Sequence, residues 1–77
     1  MIYYRAEDGI LSEPRFCMAE PGAAKMLYLQ QRERQAAQWA FENRKRAGTG
    51  MDQYPDAHCL YLAIRNEDMV YGVIGIA

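Results

Sequence analysis

The sequence holds a single histidine, two cysteines, one tryptophan and no long apolar run, and each scarcity closes off a class of function. With His58 as the only imidazole and Cys17 and Cys59 as the only thiols, there is no ligand set at the spacing of a structural zinc site. One Cys17–Cys59 bridge is possible on paper, but two cysteines without a framework read as reduced thiols. A net charge of -1 supplies no basic field of the kind that holds nucleic acid. The most apolar stretches, Cys59 to Ile64 and Met69 to Ala77, fall far short of the roughly 20 residues a helix needs to cross a bilayer. Neither they nor the N-terminus form a spanning helix or a signal peptide. At 77 residues the chain makes one small domain. Such a domain buries only roughly 60 to 65 % of its unfolded surface and has little stability to spare.

What the chain does have is a clear amphipathic helix, Gln30 to Arg46, and its stop signal. Ala36, Ala37, Ala40, Phe41 and Trp39 fall on one arc, with Gln35, Gln38, Glu42, Lys45 and Arg46 opposite. Three alanines let the helix backbone approach a flat partner closely, and the two aromatics at the edges supply apolar area. A β-sheet is the expected partner. Arg44, Lys45 and Arg46 complement the negative end of the helix dipole, and Gly48 offers the left-handed position just past the end.

The remainder reads as strands and loops. Ile2 to Ala6 is followed by Glu7-Asp8-Gly9, and Asp-Gly between apolar runs predicts a hairpin with Ile10 to Arg15 as its second strand. Pro14 cannot donate to a ladder, so that second strand belongs at a sheet edge. Phe16 to Lys25 reads as a loop, Met26 to Leu29 as a short extended approach to the helix, and Thr49 to Ala57 as another loop. His58 to Arg65 alternates, with Leu60, Leu62 and Ile64 on one face and Cys59, Tyr61 and Ala63 on the other, and reads as an interior strand. After a turn at Asn66-Glu67-Asp68, Met69 to Ala77 is β-branched enough to be a central strand buried on both faces. The two most apolar strands should pair with each other, and Ile2 to Ala6 should pair with Met69 to Ile76. The chain ends inside that last strand, which reads as a piece cut from a longer protein.

Few residues offer chemistry. His58 and Cys59 are neighbours in an extended segment, which points imidazole and thiol to opposite faces and argues against a nucleophile pair. Asp52, Asp56, Glu67 and Asp68 match no calcium loop and read as turn formers. Ala47 to Gly50, AGTG, lies at the wrong end of a helix to cradle phosphate. Arg32, Arg34, Arg44, Lys45 and Arg46 form a solvated face that is also able to dock an acidic partner. No nucleophile, base and acid come together.

From Trp39 onward the motifs become specific. A helix ends in W-x-F at Trp39 and Phe41. An A-G-x-G-x-D turn follows at Ala47, Gly48, Gly50 and Asp52, then Pro55, a strand with Leu60, Tyr61, Leu62 and Ile64, and a glycine-punctuated strand with Tyr71, Gly72, Val73 and Gly75. In these motifs the chain resembles the GAF domain of osmosensitive potassium-channel sensor histidine kinases of the KdpD type. It departs from them with Met51 in place of a threonine and Ala63 in place of a proline.

The resemblance implies an α+β fold: a GAF-like, PAS-related antiparallel sheet with one main helix on a face, truncated at both ends. Residues 1–77 would be part of a cytoplasmic sensory domain in an inner-membrane-anchored kinase. That kinase autophosphorylates on histidine from ATP and controls potassium-transport genes through a two-component relay. No phosphoacceptor helix or ATP-binding motif lies in these residues, so the segment itself is expected to be no enzyme and to carry no cofactor, metal or catalytic residue. One reading is a sensor whose pocket, between the sheet and the loop Gly48 to Ala57, binds a small ligand through Gly48, Thr49, Gly50, Asp52, Tyr61 and Tyr71. The other is a structural module that associates through an exposed sheet face and relays strain. Tyr61, Ala63, Tyr71 and Val73 are expected to lack a cover on that face, and a homodimer is the expected way to bury it. The other expected partners are the neighbouring domains of the kinase, with no nucleic acid and no direct membrane insertion.

Overall fold

The computed structural model describes residues 1–16, 26–65 and 68–76. Its elements are β1 (Ile2–Glu7), β2 (Ile10–Leu11), β3 (Arg15–Phe16), α1 (Gln31–Asn43), β4 (Ala47–Gly48), β5 (Leu60–Arg65) and β6 (Val70–Ile76). The strands form one antiparallel sheet in the order β2-β1-β6-β5-β4, with β3 also on β1. The two apolar runs do pair as β5 and β6, and β1 lies on the other side of β6. Central position follows burial: β6 has the most branched side chains to hide and is flanked on both sides.

The Asp-Gly hairpin forms. Asp8 and Gly9 both take positive φ, 52° and 76°, and close the two-residue loop between Glu7 and Ile10. That backbone hand matches the twist of paired strands. The return strand is broken in two, because Pro14 has no N–H to donate and Ser12 turns its side chain to the backbone instead. Ser12 Oγ accepts from Arg5 N–H at 2.9 Å and donates to the Glu13 carbonyl at 3.0 Å.

Helix α1 is shorter than its amphipathic pattern. It stops at Asn43, and Arg44 caps it in the left-handed region (φ 56, ψ 34), its N–H donating to the Ala40 carbonyl. Gly48, expected at that cap, instead lies in β4 opposite Leu60. Since a β-carbon is strained at such a φ, Arg44→Gly is expected to stabilise the domain by about 0.5–1 kcal/mol, read as a higher urea midpoint at unchanged slope. Residues 26–28, expected to be extended, are helical. Met and Leu are good helix formers, and Tyr28 is held by stacking on Phe16 at 6.4 Å. The expected loop Phe16 to Lys25 lies outside the described residues beyond Phe16, as do Asn66 and Glu67 of the expected turn.

The core sits between α1 and one face of the sheet. Ala36, Ala37 and Ala40 are wholly buried against Ile2, Tyr4, Tyr61 and Val73. Trp39 and Phe41 flank this seam half-buried. Gly75 makes the close packing possible, since a β-carbon there would meet Ile2 and the Tyr61 ring. Two expectations fail on the same point. Tyr61 and Val73, expected to lack a cover, are 0 % exposed, because the alanine seam settles on their face. Nor is β6 buried on both faces: by register Leu60, Leu62 and Ile64 share the opposite face with Ile74 and Ile76. There Ile64 and Ile76 remain 39 % and 45 % exposed. Strand β5 is interior only at its start, where β4 pairs with Leu60 and Tyr61.

Candidate functional site

The polar centre of the domain is built from three consecutive residues in the first turns of α1. Successive side chains on a helix diverge by about 100°, so Arg32, Glu33 and Arg34 reach three different parts of the chain. Arg34 donates to the Ser12 carbonyl at 2.6 Å and the Leu11 carbonyl at 2.8 Å. Its guanidinium also lies 5.1 Å from the Tyr4 ring centroid. Arg32 Nε is 3.1 Å from both carboxylate oxygens of Asp56, and its guanidinium sits 4.4 Å from the Tyr54 ring centroid. The hydrogen bond from Arg32 holds the Asp56 carboxyl below its usual range.

Glu33 points inward and is 1 % exposed. Its carboxylate accepts from the His58 N–H at 3.1 and 2.9 Å, the Cys59 N–H at 3.1 Å and the Tyr61 hydroxyl at 2.9 Å. Residues 58 and 59 therefore give their amides to this side chain rather than to a ladder, and β5 begins at Leu60, two residues later than the alternation predicts. A place in the first turn of a helix further favours the negative charge. Burial pushes the Tyr61 phenol well above its ordinary range and the Tyr4 phenol up to about 12, so both stay protonated at neutral pH. Every donor aimed at Glu33 is used to bind it. The arrangement is a tie between helix, loop and strand.

Glu33 is not among the residues expected to form a site. A signal for it exists: Glu33, Ala36, Ala37 and Ala40 stand at i, i+3, i+4 and i+7, the spacing of a buried stripe. A charge on that stripe needs buried donors.

The residues expected to bind a ligand are spread out. Gly48 is buried in β4, Thr49 and Gly50 are exposed in the turn after it, and Asp52 lies at the rim of a cleft beside Trp39. Tyr61 is spent on Glu33. Tyr71 is 48 % exposed on β6, next to Gly72, which pairs with Ile64 at the far end of β5 from β4. Beneath residues 57–59 the space between α1 and the sheet is filled by Glu33, Ala57, Cys59 and Tyr61, all buried, while Met51 to Gln53 at the other end of the loop border the cleft beside Trp39. His58 is exposed while Cys59 is buried, which keeps imidazole and thiol apart. Among the described residues no group of His, Cys, Asp and Glu is placed to hold a metal ion, and no helix is long and apolar enough to cross a membrane. Comparison with protein-family models, curated proteins and solved structures finds no match to the chain.

Proposed function

We propose that this domain is a GAF-like signal-relay module of a potassium-responsive sensor histidine kinase, in the cytoplasmic part of a membrane-anchored protein, and that it works by self-association rather than catalysis. The observation that carries the association is the sheet face opposite α1. There Leu60, Leu62, Ile64, Ile74 and Ile76 lie side by side by register, with Ile64 and Ile76 39 % and 45 % exposed. An exposed aliphatic sheet face is unusual on a monomer and can be self-complementary about a two-fold axis. The buried Glu33, Ala57, Cys59 and Tyr61 leave no room for a ligand between the sheet and residues 57–59.

The proposed dimer buries roughly 800 Å² per partner, the size of a standard specific interface. Sedimentation equilibrium at high micromolar concentration should then report a dimer. Leu62→Lys, at the centre of the face, should convert it to a monomer with unchanged far-ultraviolet circular dichroism. A wild-type protein of monomer mass at that concentration would refute the association.

A further inference from the structure

Arg44, Lys45 and Arg46 follow one another on the surface just past α1. They stand at and just past the C-cap of α1, which ends at Asn43, rather than within its last turn as the sequence suggests. Among the described residues none of the three forms an ion pair or a side-chain hydrogen bond. By contrast Arg5 pairs with Glu7, Arg32 with Asp56, and Arg34 with backbone carbonyls. The three cations border a cleft of about 530 Å³, shared with Trp39, Met51 and Asp52. That volume falls in the range of small-molecule sites, roughly 300–1,000 Å³. Trp39 is half-buried on the helix side and Met51 half-buried across from it, so the cleft has an apolar part as well as a charged rim.

We propose that this cleft binds a small aryl phosphate, the flat ring lying against Trp39 and Met51 and the phosphate on Arg44, Lys45 and Arg46. The charge balance selects the anion. Within this cleft three cations face the single acid Asp52, while Arg44 also borders a neighbouring cleft with Asp8, Glu42 and Asp68. The positive charge left on Lys45 and Arg46 suits a phosphate monoester, which carries about -1.5 to -2 charges at neutral pH, better than a monocarboxylate. Two arginines add donors in the fork that matches phosphate oxygens. An indole and a thioether are good partners for a flat ring. The site lies on the helix end and the turn after β4, so it is independent of the sheet-face association.

Trp39 is the only tryptophan, so its emission reports the cleft directly. The probes are phenyl phosphate, phenol and inorganic phosphate, each titrated against the full chain. Saturable quenching by phenyl phosphate is expected, at least about tenfold tighter than by phenol or inorganic phosphate. The triple variant Arg44→Gln, Lys45→Gln, Arg46→Gln should lose about tenfold in phenyl phosphate affinity with phenol unaffected, its fold checked by circular dichroism. If it fails to fold, Lys45→Gln alone should weaken binding measurably. Phenol binding as tightly as phenyl phosphate overturns the phosphate contact, and inorganic phosphate binding as tightly overturns the ring contact. Linear, non-saturating quenching overturns the site altogether. The Leu62→Lys variant should titrate like the wild type, which separates failure of this site from failure of the association.

Discussion

Glu33→Ala is expected to remove about 4 kcal/mol of stability, enough to leave a domain of this size marginally folded or unfolded at room temperature. The loss comes from what the deletion leaves behind. The Cys59 N–H and the Tyr61 hydroxyl both sit in the core with Glu33 as acceptor. Each buried donor stripped of its acceptor costs roughly 1–3 kcal/mol, and the missing carboxyl group adds a cavity. The His58 amide, only part-buried, can turn to water. Glu33→Gln keeps the shape but faces an NH₂ toward one of these donors, so a smaller loss of about 2 kcal/mol is expected. Urea unfolding of both variants, with amide exchange at His58 and Cys59, checks the account. An Ala variant within 1 kcal/mol of wild type, with those amides still protected, would show that the carboxylate is not the tie.

Gly48→Ala is the second severe substitution, with an expected loss of roughly 3 kcal/mol or more. Gly48 holds φ +110, and a β-carbon placed on it would collide with the Cys59 carbonyl oxygen, with the Cys59 carbonyl carbon at 3.1 Å and Leu60 Cα at 3.2 Å. These are backbone atoms of the paired strand and cannot rotate aside. The same residue is tied through its own N–H to the Gln53 carbonyl at 2.8 Å, and its carbonyl accepts from Met51 at 3.0 Å. Relief by moving the turn therefore breaks further bonds. Gly50, two residues on, also has a positive φ of +79, yet a β-carbon there meets nothing within 4 Å. Gly50→Ala is expected to cost only about 1 kcal/mol, the backbone part alone. Thermal unfolding of the two variants side by side separates collision from strain. Equal shifts would mean that the approach of β4 to β5 is looser than described.

How far the sequence reaches depends on the range of the interaction concerned. The Asp8-Gly9 hairpin, the helix around the alanine stripe, the peripheral place of the Pro14 segment and the pairing of the two apolar runs were legible because each follows from a few adjacent residues. Turn residues dictate φ, a period of 3.6 or 2 dictates a face, and the most apolar strands go to the middle. The end of α1 was misplaced by several residues. Three cations and a glycine suit both a longer helix and the actual ending, in which Arg44 accepts a left-handed backbone so that Ala47 and Gly48 can pair with Tyr61 and Leu60. Only tertiary structure decided that choice, since the gain lies in a strand more than ten residues downstream.

The same holds for the candidate sites. Nothing local to Glu33 marks it as buried, because the donors that make burial affordable lie 25 to 28 positions away, at His58, Cys59 and Tyr61. The alternation of β5 separates two apolar faces but cannot rank them. Contact with Ala36, Ala37 and Ala40 puts Tyr61 and Val73 inside and leaves Leu62, Ile64 and Ile76 on the far side. What the sequence by itself determined is the main helix, the Asp8-Gly9 hairpin and the order of the three long strands, through short-range geometry and the burial of the most apolar runs. What only the tertiary structure decided is which face is covered, where the helix stops and which charge is held inside, because each depends on groups brought together from distant parts of the chain.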